Sequence, residues 1–253
     1  MFTLKEDLDI AVAIADRASH LAIDFFNEGV TGSTKADGTL VTDADRAVEQ
    51  VLRTTIQQLR PEDGILGEEF GESGKSSRVW IIDPIDGTSS FVNRDSDWRV
   101  QLALEIHGQI KVAVVVAPAQ GICWWAMSGG GAFESRWPLD IRIEPTVLSV
   151  SMIDERSSAR VQGYPLDSVV QRLGGWNVSC PDSLVPYKVI RGELEAFIFQ
   201  ACYAWDHAPW VLLVQEAGGS FVDWEGGLSA RKAGGIFSNT TLHRRLRSAI
   251  LTD

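Results

Sequence analysis

Apolar residues recur at helical spacing through Leu8, Ala11, Val12, Ile14, Ala15, Ala18, Leu21, Ala22 and Phe25, which predicts an amphipathic helix over residues 4–28, stopped by Glu28-Gly29. Residues 31–38 are turn-rich. A second helix opens at Leu40-Val41-Thr42-Asp43, with Thr42 or Asp43 as its cap and Val48, Val51, Leu52, Ile56 and Leu59 on its apolar face. Beyond the Pro61–Gly64 turn the period shortens. Ile65-Leu66 reads as a short strand running into Gly67-Glu68-Glu69, residues 71–77 as a polar loop, and Val79–Ile82 as a buried strand ending at Asp83. Val100–Ile106 and Ile110–Val116 form a hairpin around His107-Gly108-Gln109. Gly121–Met127 and Arg136–Ile143 read as further strands, with a turn through Gly129–Phe133 between them. The first half is therefore α+β with an antiparallel sheet.

The second half alternates. Val147–Met152, Trp176–Ser179, Glu195–Phe199, Ser220–Asp223 and Gly235–Ser238 read as strands. Pro165–Leu173, a segment ending near Arg191, Asp206–Ala217 and Thr241–Ile250 read as helices, the third closed by Gly218-Gly219. This predicts a second sheet covered by helices. A boundary near Glu144-Pro145 separates residues 1–145 from 146–253, with no long linker between them.

Composition narrows the function. The 253 residues carry 23 Lys+Arg against 34 Asp+Glu, a formal charge of −11, which speaks against a nucleic-acid partner. No run of about 18 apolar residues exists, so no membrane span is expected. The acidic start shows no apolar signal region. Three widely spaced cysteines, Cys123, Cys180 and Cys202, suit neither a disulfide framework nor a zinc site and suggest a cytoplasmic location.

Acidic residues gather where apolar strands end: Gly67-Glu68-Glu69, Asp83-Pro84-Ile85-Asp86-Gly87-Thr88, and Trp205-Asp206 at a helix start. Asp83 and Asp86 are too close to be buried unpaired at low cost. A divalent cation resolves the repulsion, and hard oxygen donors suit Mg²⁺ or Mn²⁺. The helix start after Gly87 offers free N–H groups to an anion such as phosphate. Taken alone, the turn also reads as a plain strand–turn–helix connection with a capping Asp.

The segments Gly67–Glu69, Trp80–Phe91, Trp205-Asp206-His207-Ala208-Pro209 and Glu216–Gly219 resemble the signatures of the inositol monophosphatase family, over essentially the whole chain. Val41–Glu49, Arg60–Gly71, Cys123–Ala126 and Gly129–Phe133 are most similar to its bacterial histidinol-phosphate phosphatase branch. The resemblance implies a layered αβαβα sandwich of the sugar-phosphatase type and a Mg²⁺-dependent phosphomonoesterase, usually dimeric, that uses a metal-activated water. It implies that Glu68, Asp83 and the Ile85 carbonyl hold one cation and that Asp83, Asp86 and Asp206 hold a second. A third, weaker ion would sit near Glu68. Thr88 would position the water, with Asp45 accepting from its hydroxyl, and Glu68 would share the catalytic work. Gly87, Thr88 and Ser89 would bind phosphate.

The chain departs from the family in the region that binds the leaving group. Phe199 stands where a Glu is usual, Trp210 where a small residue is usual, and Cys180-Pro181-Asp182-Ser183-Leu184 replaces the customary upstream pattern. Asp86, Asp182, Phe199 and Trp210 are accordingly the expected substrate-side residues. Histidinol phosphate is the foremost expected substrate, with an inositol phosphate or another specialised metabolite as the alternative. A phosphatase-like binding protein without turnover and a nucleotide 3′-phosphatase using Lys188 and Arg191 stay open. Lys35, in the loop that approaches the site in the family, Glu69 and His207 are further candidates.

Overall fold

The computed structural model describes residues 2–35, 38–140, 142–163, 169, 172–181, 183, 185–200 and 202–251. The first helix, α1 (Leu4–Glu28), is opened by Thr3 and Glu6, whose side chains and backbone N–H groups bond reciprocally. A short hairpin of β1 (Ser33–Thr34) and β2 (Leu40–Val41) follows in the turn-rich stretch. Helix α2 (Asp43–Leu59) is capped by Thr42, with Asp45 returning the bond.

Eight strands form the first sheet: β3 (Gly64–Gly67), β4 (Gly71–Ser73), β5 (Arg78–Asp86), β6 (Arg99–Ile106), β7 (Gln109–Ala117), β8 (Ile122–Met127), β9 (Gly131–Arg136) and β10 (Thr146–Val147). Their spatial order is β10-β9-β8-β7-β6-β5-β3-β4. Several sequence expectations need correction. The sheet is antiparallel except that β3 and β5 run parallel. The stretch read as a loop contains β4, which folds back along the outer side of β3, so β5 re-enters in the direction of β3. The strand expected over Arg136–Ile143 lies earlier, as β9 at Gly131–Arg136, partly over the expected turn, and the strand expected over Val147–Met152 reduces to Thr146 and Val147, which pair with β9 in the first sheet.

A one-turn helix, α3 (Thr88–Val92), follows β5. The second sheet contains β11 (Arg160–Gly163), β12 (Asn177–Ser179), β13 (Ala196–Phe199), β14 (Gly219–Asp223) and β15 (Gly235–Asn239), with the short helix α4 (Tyr187–Ile190), α5 (Ala204–Glu216) and α6 (Thr240–Leu251) between or after them. Its order is β12-β11-β13-β15-β14, parallel across the first three strands and antiparallel beyond. Most of the helix expected over Pro165–Leu173 lies outside the described residues, as does Asp182.

The layers follow from side-chain alternation. Leu102, Leu104, Val112, Val114 and Val116 turn one face of the first sheet toward Ala11, Ile14, Ala18, Val48 and Leu52 of α1 and α2. Ala103, Ala113 and Val115 turn the other face toward Trp210, Leu213 and Val214 of α5, which also meet Phe197, Phe221 and Phe237 of the second sheet. Helix α5 is enclosed by a sheet on either side, which explains an almost continuous apolar sequence from Ala208 to Val214. The opposite face of the second sheet, with Val161, Ile198, Val222 and Ile236, packs on Leu242, Leu246 and Ile250 of α6. The result is an αβαβα sandwich. Among the described residues no helix is long and apolar enough to cross a membrane.

Candidate active site

The site forms where β3, β5 and the start of α5 converge. Strand residues three apart ordinarily face opposite sides of a sheet. Between Asp83 and Asp86 the pairing of β5 with β6 slips: Asp83 opposes Gln101, whereas Asp86 opposes Arg99. One extra residue is thereby inserted into β5, at Pro84-Ile85, where proline has no N–H to give the ladder. The bulge restores a common side for the two aspartates. Gly87 then takes a left-handed conformation (φ 89°, ψ 40°) that suits glycine, ends the strand and caps α3.

Asp206 arrives from the first turn of α5. One carboxylate oxygen from each of Asp83, Asp86 and Asp206 lies within 4.8 Å of the others. Asp83 is buried at 1% exposure, and its Oδ1 accepts from the Ile85 N–H at 3.0 Å. Asp206 Oδ2 accepts from the Tyr203 N–H at 2.5 Å. Burial is the main force on the ionisation of this group. It raises Asp83 well above the carboxylate range, with Glu68, Asp86 and Asp206 adding repulsion. It raises Asp206 to about 7, Asp86 adding to the effect. Asp86 is raised by burial and held back by Arg99. A compact set of oxygen donors, too few cations and strong mutual repulsion together fit a divalent cation.

Glu68 stands at the end of β3. Lys35 Nζ bridges it to Glu69, at 2.8 Å and 2.6 Å. Burial raises Glu68 to about 7 against the pull of Lys35. Burial would lower Lys35, but the bonds to both glutamates outweigh it and leave the amine raised. Behind this loop lies an arrangement that the sequence reading passed over. The fully buried Glu49 accepts from the N–H groups of Glu69 (2.7 Å) and Phe70 (3.2 Å) and from Arg53 Nε (2.7 Å). Arg53 in turn holds the Gly71 carbonyl and, at 3.1 Å, Ser73 Oγ. Gly67 must be small, because a Cβ there would collide with the Glu49 carboxylate.

The Thr88 hydroxyl lies 3.2 Å from both Asp45 Oδ1 and the Ile85 carbonyl, and its one proton serves one of them at a time. Asp45 is fully buried. Its Oδ2 accepts from Thr42 N–H (2.8 Å) and Thr42 Oγ1 (2.6 Å), so the cap of α2 also orients the partner of Thr88. Burial raises Asp45 above its ordinary value. Thr39, Leu40, Glu68, Asp83, Asp86, Thr88, Ser89 and Asp206 border a cleft of about 300 Å³.

The expected substrate-side residues divide. Asp86 borders the cleft. Trp210 is fully buried, with Nε1 donating to Gln101 Oε1 at 2.6 Å; it is a core residue beneath the site. Phe199 is enclosed by Phe197, His207 and Phe237. His207 is fully buried, its Nδ1 2.8 Å from the Tyr203 carbonyl, and burial pushes it down to about 4. Arg191 is taken up by Glu134 at 2.7 Å. A further residue the sequence did not single out is Arg99, buried at 1% exposure against Asp86.

Residues 3–252 match the model of the inositol monophosphatase family. The chain is 37% identical to a histidinol-phosphatase of Mycobacterium tuberculosis, over 94% of this chain and 95% of that one. It is 32% identical to an inositol-1-monophosphatase of Rhizobium meliloti, over 94% and 93%. Among solved structures, the IMPase of Thermotoga maritima superposes with a TM-score of 0.82 at 26% identity, covering 97% of this chain and 96% of that one. With the sandwich, the bulged Asp83–Asp86 turn and the Asp206 helix start already in place, the match leaves one assignment: the chain belongs to the inositol monophosphatase family of metal-dependent phosphomonoesterases.

Proposed function

We propose that this chain is a Mg²⁺-dependent phosphatase of a small metabolite, with histidinol phosphate as its foremost substrate. The observation that carries the reading is the convergence of Asp83, Asp86 and Asp206 within 4.8 Å, beside the Thr88–Asp45 pair. Glu68, Asp83 and the Ile85 carbonyl would hold one cation and Asp83, Asp86 and Asp206 a second. A third near Glu68 would compete with Lys35, and Mn²⁺ would serve in place of Mg²⁺. A divalent cation supplies Lewis acidity here, offsetting phosphate charge and making bound water more acidic.

The chain's own groups do the remaining work. Asp45 accepts the hydrogen bond of the Thr88 hydroxyl, which keeps its proton and leaves a lone pair of Thr88 Oγ1 to accept from the attacking water. The N–H groups of Gly87, Thr88 and Ser89, at the start of α3 where a helix leaves such groups without intrahelical partners, would bind the ester phosphate. Glu68 borders the cleft, held by Lys35 and by the Glu49-anchored loop. No side-chain nucleophile is needed.

The histidinol phosphate reading rests on the 37% identity to the histidinol-phosphatase. Phe199, where the family usually has a Glu, removes a carboxylate acceptor from a polyol and an amine alike, a loss of about 1–3 kcal/mol of polar recognition. Asp182 would supply the substitute carboxylate. We further read the enzyme as a cytoplasmic homodimer of two-part chains, residues 1–145 carrying most metal ligands and 146–253 carrying Asp206. The test is phosphate release from histidinol phosphate, inositol 1-phosphate and glycerol phosphate with Mg²⁺. Preference for inositol 1-phosphate would transfer the substrate assignment to the alternative.

A further inference from the structure

Arg99 opens β6 opposite Asp86 and is buried at 1% exposure. Its Nη1 donates to Asp86 Oδ2 at 3.1 Å. Its Nη2 donates to Asp97 Oδ1 and, at 3.0 Å, to Ser183 Oγ, while Ser183 Oγ itself donates to Asp97 Oδ1 at 3.2 Å. Nε has no hydrogen-bond partner among the described residues. A guanidinium keeps its charge at every accessible pH. A permanent positive charge, removed from water, is thus held directly behind one carboxylate of the Asp83–Asp86–Asp206 group. Asp97, whose side chain is 22% exposed, is its second counterion.

We propose that Arg99 is a positioning and charge-setting residue that keeps cation affinity at Asp86 low, so that occupancy of that position depends on an anionic ester or phosphate arriving with it. The inference rests on the reading of Asp83, Asp86 and Asp206 as cation ligands. Two consequences follow from Coulomb's law in a poorly solvated site. A cation taken up at Asp86 enters against the charge of Arg99, and a phosphate beside it supplies the missing negative charge. Asp97 acts in the opposite sense, by offsetting Arg99. A role confined to packing predicts neither opposite signs nor phosphate dependence. Ser183, in the region that departs from the family pattern, ties this charge balance to the expected substrate side.

The test is calorimetric titration of the full chain with Mg²⁺, and with Mn²⁺ as a second probe, alongside thermal unfolding to verify folding. Arg99→Met should bind the cation about tenfold more tightly than wild type, and Asp97→Asn about threefold more weakly. Saturating inorganic phosphate should tighten cation binding in wild type, bringing it toward the affinity that Arg99→Met shows without phosphate. Unchanged or weaker binding by Arg99→Met overturns the inference, as does unchanged or tighter binding by Asp97→Asn or wild-type cation binding that phosphate leaves untightened. Should Arg99→Met fail to fold, the sign of the Asp97→Asn effect decides alone. Absence of cation binding to wild type would instead remove the metal-site reading and this inference together.

Discussion

Replacing Asp83 by Asn removes one charge and almost nothing else. The side chain keeps its volume, and its Oδ1 can still accept from the Ile85 N–H. Oxygens of Asp83, Asp86 and Asp206 lie within 4.8 Å of one another. At an effective dielectric near 20, that spacing corresponds to about 3.5 kcal/mol of repulsion per ionised pair. Proton uptake by Asp83 caps the penalty. Keeping an aspartic acid neutral at pH 7 costs at most about 4 kcal/mol relative to an unfolded chain. In EDTA, Asp83→Asn should therefore be more stable than wild type, by roughly 1–3 kcal/mol and several degrees of Tm. With Mg²⁺ the order should reverse. Wild type gains from cation binding, about 2.7 kcal/mol at a hundredfold excess over Kd, and the variant does not. Its kcat should fall at least about 100-fold, some 2.7 kcal/mol of barrier. Scanning calorimetry with EDTA and with Mg²⁺, together with phosphate release, reads all three effects. A variant less stable than wild type in EDTA, or one that keeps its Mg²⁺-induced shift, would refute the reasoning.

Other expectations follow from the same geometry. Glu68 and Asp206 are both raised to about 7 by burial, so each binds its proton more tightly in the folded chain. Their contribution is complete below about pH 4 and is lost as pH rises through about 7. The Tm in EDTA should fall between pH 5 and 8, and Mg²⁺ should remove most of that fall; a Tm in EDTA that rises over this range would contradict it. Glu49→Gln leaves one acceptor oxygen for three donors and strands Arg53, costing about 3–5 kcal/mol in urea unfolding and weakening Mg²⁺ binding. Intact stability would remove Glu49 as the anchor of the Glu68 loop. Trp210→Phe orphans Gln101 Oε1 and should cost about 1–3 kcal/mol of stability while KM changes less than about threefold. A large KM change at unaltered stability would return Trp210 to the substrate side.

The helices and most strands were legible because their apolar period is local. The Thr42–Asp45 cap can be read from four residues, and the enclosed α5 from its lack of a polar face. The parallel β3–β5 pair was not legible, because its direction depends on the short β4, whose Gly71-Glu72-Ser73 carries no strand-like pattern. Strand β11 escaped for the same reason. Only Val161 of Arg160–Gly163 advertises it, and the strand is defined by its neighbours β12 and β13.

Within the site, residue types and spacing pointed to paired carboxylates and a cation, and the resemblance brought Asp206 and Asp45 to them. Three residues stayed hidden. Glu49 and Arg53 look like an ordinary i,i+4 surface pair, and only packing against the Gly67–Gly71 loop buries them. Arg99 sits in the polar string Asn93–Arg99, and its partnership with Asp86 depends on the β5 bulge. Trp210 misled in the other direction, because a large residue replacing a small one reads as a change in the cleft when it fills the layer beneath.

The central claim is that the carboxylate cluster serves hydrolysis of a small phosphate ester. The most direct measurement is release of inorganic phosphate from histidinol phosphate by the purified full chain, with Mg²⁺ and with EDTA, beside Asp83→Asn. The account predicts release that requires Mg²⁺, stops in EDTA and is nearly absent in the variant. No phosphate release from any ester on the panel, with Mg²⁺ binding intact by calorimetry, would contradict it and favour a binding protein on a phosphatase fold.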